Sequence, residues 1–437
     1  MKGGRANMKC TLRNMTLSNK QVSDTDMSED VFSSRLQEIC EACQHDDFAR
    51  ELMHPVYRYP ASMSPHIARS LLQAFTLPGD TILDPFCGGG TTAVEALAHG
   101  RRAICSDLNN LACFITRSKA SPLSKAEIAY LREWVDKIAL PSLLTREVAP
   151  KPLVTSDGKK YVPQTHALLL KLRDAAEEIP GRKLKRMAKF IILRTGQLCF
   201  DCRERSLNPS VLSRAFVRTA DDMIERAEDY SQRCALAKVA NRNCRRLRVL
   251  CADAENIPRI LGRQIRSVSC ILTSPPYPGI HVLYHRWQFR GRKEIALPYT
   301  IAGLNNGAFE SHYTLGPRRE RDYNTYFRRL RRIYANFNEG LRPGTVVAQV
   351  VAFSLPGYQL PRYLHEMRMA GFDEITISLD GKPLIRRTVP NRKWYIRTGA
   401  TASHMREYVL LHRSTGHVHL EVCKGKENCR SSGEDYS

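Results

Sequence analysis

The chain of 437 residues has a formal net charge of +23, with 43% hydrophobic and 25% charged residues. Because this length exceeds that of a usual single domain, we expect an α/β core with a second lobe or a large insertion. No apolar run is long enough to span a membrane, and no apolar segment follows the charged start as it would in a secretory signal. The sequence therefore predicts a cytoplasmic protein that does not associate with membranes.

The excess of positive charge favours a polyanionic partner. A basic surface concentrates polyanions, and their counterions are released on binding. We therefore expect nucleic acid as the partner, although surplus charge can also serve solubility alone.

Residues 1–53 are polar and are predicted to form an N-terminal arm, after which a regular alternation of patterns begins. Successive segments have the patterns of a helix, a β run, a glycine loop, a second helix and a second β run, at 66–75, 81–86, 88–90, 91–100 and 102–107. This order is typical of the opening of a doubly wound sheet.

The alternation stops over residues 119–246, where several helical patterns are rich in Leu, Ala, Lys and Arg. We interpret this stretch as a basic helical insertion that could recognise DNA, with the segment RKLKRMAK at 182–189 as a candidate for phosphate contacts. The β patterns then resume at 246–254, 267–277, 345–353, 374–379 and 407–413. Segments 54–118 and 247–415 are therefore predicted to form one discontinuous α/β domain, and 416–437 a flexible tail.

The first motif is DPFCGGGTT, which begins at Asp84 and lies at a predicted strand-to-helix junction. Glycines let the backbone pass close to a ligand and expose amide donors at the start of a helix. The loop lacks the Gly-Lys-Ser/Thr ending of a P-loop. It also lacks the G-x-G-x-x-G pattern of a dinucleotide-binding fingerprint. Asp107 closes the next β run, where its carboxylate could accept both ribose hydroxyls of an adenosine-type cofactor. A helix N-cap is the alternative role for Asp107.

The second motif is SPPY at 274–277, directly after the apolar run SCIL. Two prolines cannot continue a central strand, so the chain must leave the sheet in a rigid turn at its carboxyl edge. Doubly wound sheets bind ligands at that edge. An isolated SPPY would be no more than an ordinary strand exit.

Together and in this order, the two motifs resemble those of the DNA amino-methyltransferases, which act on N4 of cytosine or N6 of adenine. The resemblance covers about 54–118 and 247–413. It implies a doubly wound, Rossmann-like methyltransferase sheet, here interrupted by the helical insertion, with S-adenosylmethionine as cofactor and DNA as substrate. The cofactor-binding residues that it implies are Tyr59, Pro60, Asp84, Pro85, Phe86, Cys87, Gly88, Gly89, Gly90, Thr91, Asp107, Leu108, Asp253 and Ala254.

The resemblance implies that Ser274, Pro275, Pro276 and Tyr277 form the catalytic turn. An aromatic amine is a poor nucleophile because its lone pair is delocalised into the ring. Hydrogen bonds from the amine to the Ser274 hydroxyl oxygen and the Pro275 carbonyl would localise that lone pair, and Tyr277 would stack on the flipped base. This chemistry needs no metal. In the family that the chain resembles, Ser before Pro-Pro-Tyr more often accompanies methylation at cytosine N4 than at adenine N6.

Two other functions remain open, an RNA base amino-methyltransferase and a catalytically dead nucleic-acid-binding regulator. A cognate restriction endonuclease is a possible partner. The pairs Cys40/Cys43 and Cys199/Cys202 could supply thiolates to zinc, but they lack a nearby Gly-rich knuckle, so we expect free thiols. The recognition region is either the insertion or residues 279–325, and the target sequence and oligomeric state stay open.

Overall fold

The computed structural model describes residues 38–39, 51–59, 62–138, 152–237, 246–278, 286–291, 293–305, 315–316, 323–375, 385–388 and 406–417. The predictions for Pro60, Cys40 and Cys43, and most of the predicted arm and tail, lie outside these residues. In this part of the chain, no helix has the length and apolar character needed to cross a membrane.

The strands lie in chain order at β1 (Thr81–Asp84), β2 (Arg102–Asp107), β3 (Leu153–Val154), β4 (Lys160–Tyr161), β5 (Leu247–Cys251), β6 (Val268–Thr273), β7 (Trp287–Phe289), β8 (Lys293–Ile295), β9 (Val346–Ala352), β10 (Phe372–Glu374), β11 (Ile385–Thr388) and β12 (Arg406–Ser414). The helices lie at α1 (Pro65–Phe75), α2 (Thr91–Ala98), α3 (Asn110–Lys119), α4 (Lys125–Ile138), α5 (Gln164–Glu177), α6 (Arg182–Phe200), α7 (Pro209–Leu236), α8 (Ile257–Leu261), α9 (Leu297–Ala302), α10 (Asn324–Gly340) and α11 (Pro356–Met369).

A central 8-stranded sheet has the order β10–β12–β9–β6–β1–β2–β5, with β11 paired to β12. Five neighbouring strands of this sheet are parallel, in the order β5, β2, β1, β6 and β9. Strand β12 runs antiparallel to β9. The chain builds outward from β1 in one direction through β2 and β5, and in the other direction through β6 and β9. This topology confirms the predicted α/β, doubly wound, Rossmann-like methyltransferase sheet, and its switch point lies between β1 and β6.

Several predicted β patterns run past the observed strands. Those at 81–86 and 267–277 end as strands at Asp84 and Thr273, ahead of the prolines. The pattern at 246–254 ends as a strand at Cys251, because Asp253 caps a short 3-10 turn and its side chain accepts a hydrogen bond from the Glu255 amide. The pattern at 374–379 corresponds to β10, which ends at Glu374. Residues 376–379 lie outside the described part of the chain.

Between α3 and β5, the chain forms helices α4 to α7 and the hairpin of β3 and β4. The buried Phe190 of α6 and Phe216 of α7 belong to the same hydrophobic cluster as Ile82 of β1 and Cys105 of β2. These helices therefore cover one side of the sheet and share its core. All four residues of β1 are buried, and burial on both faces of the sheet explains the consecutive apolar residues Ile82 and Leu83.

Candidate active site

The two sequence motifs meet at the carboxyl edge of the sheet. Strands β1 and β6 are parallel neighbours, so Asp84 and Thr273 end side by side. The Thr273 hydroxyl donates a 2.6 Å hydrogen bond to Oδ1 of Asp84. A direct side-chain contact thus joins the end of the glycine-loop strand to the strand that leads into SPPY.

Asp84 is almost fully buried beneath the loop. Burial raises its pKa to about 6, although hydrogen bonds from Thr273 and Thr92 favour the carboxylate. Its Oδ1 also accepts the Phe86 amide at 3.1 Å. Asp84 therefore shapes the turn into the glycine loop, and its predicted contact with a cofactor stays a prediction.

The glycine loop packs against the segment that precedes α1. Gly88 and Gly90 have φ values of 45° and 81°, which disfavour other residues. A Cβ on Gly88 would lie 3.1 Å from the Tyr59 ring, and one on Gly90 would lie 2.9 Å from the Thr116 hydroxyl. The structure thus places Tyr59 beside the loop, in the neighbourhood where the sequence predicts it.

Asp107 is tied directly to the glycine loop. Its Oδ2 accepts the Gly88 amide at 2.9 Å, and its Oδ1 accepts the Asn109 amide at 2.8 Å. Burial raises the pKa of Asp107 to about 6. The N-cap of α3 is Asn109, whose side chain accepts from Leu111, so the alternative role for Asp107 as that cap is wrong.

The surroundings of Asp107 fit an adenosine-type cofactor. A carboxylate oxygen that accepts one amide keeps a lone pair for a ribose hydroxyl. The next residue, Leu108, is 41% exposed and offers an apolar surface to a purine. The carboxylate of Asp107 and the exposed side chain of Leu108 are thus the features of the site that fit an adenosine-type cofactor.

The other predicted cofactor residues lie around the same edge. Asp253 forms an ion pair with Arg329 of α10 and accepts the Glu255 amide at 3.1 Å. Its predicted contact with the cofactor stays a prediction. The remaining members are buried or half-buried at this edge: Pro85, Phe86, Cys87, Gly89, Thr91 and Ala254.

The SPPY turn is held by hydrogen bonds to β9 and α10. The Ser274 hydroxyl lies 2.9 Å from the Val350 carbonyl and 3.1 Å from the Tyr277 hydroxyl. Tyr326 of α10 donates to the Pro276 carbonyl at 2.8 Å. The turn is therefore fixed from below by β9 and from the side by α10.

Tyr277 is only 7% exposed, and its hydroxyl donates to Oε1 of Glu407 at 3.1 Å. Stacking on a flipped base would require the ring to turn outward from this position, so that role stays a prediction. No motif in the sequence singles out Glu407. Its only signal is an acidic residue at the start of the β pattern at 407–413.

The cysteine pair in the insertion is split between two environments. Cys199 is buried, whereas Cys202 is exposed, and both are free thiols. Within the described segments, no group of three or more His, Cys, Asp or Glu side chains could hold a metal ion.

Sequence comparisons support the first half of this site. The DNA methylase family model matches residues 12–117, which include the glycine loop and Asp107. The chain is 34% identical over 83 residues to the Type II methyltransferase M.MvaI of Kocuria varians, which is 18% of this chain and 18% of that protein. The predicted resemblance to the DNA amino-methyltransferases is thereby confirmed.

A second relative is named as an RNA methyltransferase. The chain is 40% identical over 67 residues to the tRNA (guanine(10)-N2)-dimethyltransferase of Methanothermobacter thermautotrophicus, which is 15% of this chain and 20% of that protein. The chain thus matches about a fifth of the length of either curated relative.

Two solved structures show a loose overall likeness. TrmN from Thermus thermophilus has a TM-score of 0.29 and 16% identity, and the match covers 81% of this chain and 50% of that one. The rRNA methyltransferase AviRa from Streptomyces viridochromogenes has a TM-score of 0.31 and 12% identity, with 90% and 95% of the two chains covered.

The match to the DNA methylase family model, together with the observed sheet, implies S-adenosylmethionine as the cofactor. The family match ends at residue 117, before Asp253 and before the SPPY turn. The roles assigned to individual residues of the site, before and after residue 117, stay predictions.

Proposed function

We propose that this protein methylates an exocyclic amine of a base in DNA, with N4 of cytosine as the preferred target. The observation that carries the proposal is the Thr273–Asp84 hydrogen bond, which fixes the SPPY turn beside the glycine loop. A cofactor held by Asp107 and a base held at Ser274 would then approach each other at one edge of the sheet.

The cofactor would supply an electrophilic methyl group on its sulfonium. The protein's own task is to orient the amine. Because the Ser274 hydroxyl has the Val350 carbonyl at 2.9 Å as an acceptor, its proton can point into the sheet. The lone pairs of its oxygen are then available to accept an N–H from the base.

For DNA recognition, we propose a composite surface made by the insertion and by the segment after SPPY. Two bridges join them: Thr155 pairs with Ile295, and Arg203 with Phe289. The exposed Arg290 lies over the half-buried ring of Tyr161, with its guanidinium carbon 4.6 Å from the ring centroid. Arginine next to an aromatic ring suits phosphates and unstacked bases.

This composite surface is connected to the glycine loop by a short chain of contacts. Trp287 of β7 donates a 3.0 Å hydrogen bond to the Tyr57 hydroxyl, and Tyr59 packs on Gly88. Tyr57 and Tyr59 thus link the proposed recognition surface to the glycine loop.

The basic segment at 182–189 is a weaker candidate for phosphate contacts than its sequence indicates. Lys183 pairs with Glu127 at 2.7 Å, and Lys185 with Glu177 at 3.4 Å. Arg186 is mostly withdrawn from solvent and donates to the Ser121 hydroxyl. These charges are used largely to hold helices together.

An RNA substrate is the second candidate, and the tRNA methyltransferase relative favours it. A restriction endonuclease remains a proposed partner, since one relative is a Type II methyltransferase by name.

The test is transfer of a labelled methyl group from S-adenosylmethionine to unmethylated phage DNA and, in parallel, to unmodified transfer RNA and ribosomal RNA. We expect label in DNA alone. Label in either RNA without label in DNA would contradict a DNA substrate and leave the amino-methyltransferase assignment standing.

A further inference from the structure

Glu407 lies at the edge of the sheet that carries the SPPY turn, because β12 is antiparallel to its neighbour β9. It is paired in register with Ala352, the last residue of β9, so the first residues of β12 lie where the parallel strands end. Its side chain is 1% exposed. Burial of a carboxyl group is costly unless it is hydrogen-bonded, so this position requires a donor nearby.

The Tyr277 hydroxyl is such a donor, at 3.1 Å from Oε1 of Glu407. The same hydroxyl lies 3.1 Å from Ser274, the residue proposed to accept the amine. Two consecutive hydrogen bonds therefore join Glu407, Tyr277 and Ser274 in a line of polar groups from the buried strand to the SPPY turn.

The protons of this line can be counted. The Tyr277 hydroxyl has a single proton, and it donates this proton to Oε1 of Glu407. The Ser274 proton is then directed inward, where the Val350 carbonyl at 2.9 Å and the Tyr277 oxygen both accept. No proton of either hydroxyl remains to compete for the outward lone pairs of Ser274.

We propose that Glu407 is a positioning residue that fixes the directions of the Tyr277 and Ser274 hydroxyl protons, so that Ser274 presents only acceptor lone pairs to the substrate amine. This inference rests on the proposed function. Without the carboxyl group, the Tyr277 hydroxyl can donate to Ser274, 3.1 Å away, and occupy one of those lone pairs. The amine would then lose part of the hydrogen bonding that localises its lone pair.

The substitution Glu407→Ala should therefore lower kcat by about tenfold to a hundredfold, as for a buried hydrogen-bonding group that loses its partner, and leave the affinity for S-adenosylmethionine unchanged. Glu407→Gln keeps an acceptor oxygen for Tyr277 and should recover most of the activity. Tyr277→Phe removes the hydroxyl through which Glu407 acts.

The deciding experiment is a double-mutant cycle of Glu407→Ala and Tyr277→Phe, measured as kcat and KM for methyl transfer to unmethylated phage DNA, with cofactor affinity from calorimetry as the folding control. We expect Glu407→Ala to have no further effect on kcat in the Tyr277→Phe background. If the alanine variant does not fold, Glu407→Leu, which fills the volume, replaces it in the cycle.

Equal losses in both backgrounds, or full activity of the Glu407→Ala protein, would overturn the inference while the wild-type chain still methylates DNA. A wild-type chain that transfers no methyl group to DNA would overturn the proposed function, and the inference with it.

Discussion

At the scale of single residues, Asp107 is tied to the glycine loop, and we predict that it also binds the cofactor. The sequence identifies Asp107 by its distance from the glycine loop and by its place at a strand end. The structure adds the partner atoms, the amides of Gly88 and Asn109, which no sequence pattern specifies. These bonds hold the carboxylate in place before a ligand binds.

Replacing this carboxylate should weaken the binding of S-adenosylmethionine. Asp107→Ala removes charge-assisted acceptors for the ribose hydroxyls, a loss of about 1.5–3 kcal/mol in binding free energy. Calorimetry on the folded variant measures it, with Asp373→Ala at the far edge of the sheet as a control. Unchanged affinity in the Asp107 variant would remove that residue from the cofactor site.

The raised pKa of Asp107 gives this binding a pH dependence. Ribose hydroxyls donate to the ionised form, so the cofactor prefers the carboxylate, whose proton leaves at about pH 6 in the free protein. Affinity should be constant above that pH and weaken as the pH falls below it. Calorimetry between pH 5 and pH 8 is the measurement, on the order of a tenfold loss per unit at the acid end.

The control for this dependence is Asp107→Asn, which should flatten the profile. Asp84 also has a pKa of about 6, so it is the other source of such a dependence. If the profile of the Asn variant matched that of the wild type, Asp84 and not Asp107 would be the titrating group.

At the scale of elements, the strands of the sheet could largely be predicted, and contacts between distant segments could not. The β run predicted at 81–86 is a strand, but it ends at Asp84 because Pro85 cannot continue a central strand. By contrast, the pairing of Thr155 with Ile295 joins residues far apart in the chain through two very short hairpins. Strands of 2 or 3 residues carry too little alternation to be recognised.

The Glu407 contact was invisible for a similar reason. It depends on β12 running antiparallel to β9, which brings the first residues of β12 beside the SPPY turn. Strand direction at the end of a doubly wound sheet is a property of the whole topology, so an acidic residue in the pattern EYVLLHR gives no hint of its partner.

The composite surface predicts a specific salt dependence of DNA binding. Replacing Arg203, Arg205 and Arg290 by Gln should flatten the slope of log affinity against log salt, by up to about 0.9 for each phosphate that the variant no longer neutralises. All three are exposed. Filter binding or fluorescence anisotropy over a range of salt concentrations measures the slope.

The matched control for this prediction is the paired cluster of the insertion. Replacing Lys183, Lys185 and Arg186 by Gln removes the same formal charge, but these side chains are engaged with Glu127, Glu177 and Ser121. The slope of this control should change little. A control that flattens the slope more than the surface variant would return DNA recognition to the segment at 182–189.

At the scale of the whole molecule, the described part of the chain shares one core between the sheet and the helices that interrupt it. The sequence predicts that interruption because the β/α alternation stops, but it cannot show that α6 and α7 cover one side of the sheet. This arrangement brings β3, β4 and the end of α6 next to the segment that follows SPPY. The catalytic edge and the proposed recognition surface are thus held by a continuous set of packed elements.

Mass spectrometry of nucleosides from DNA methylated by the purified protein tests the central proposal most directly. We predict N4-methylcytosine in DNA treated with the wild-type protein, and none above background with Ser274→Ala, which should still bind S-adenosylmethionine because Ser274 lies outside the loop around Asp107. N6-methyladenine alone would correct the target base and leave the catalytic turn standing. Methylation at C5 of cytosine, or undiminished N4-methylcytosine with the Ser274→Ala protein, would contradict the account of the site.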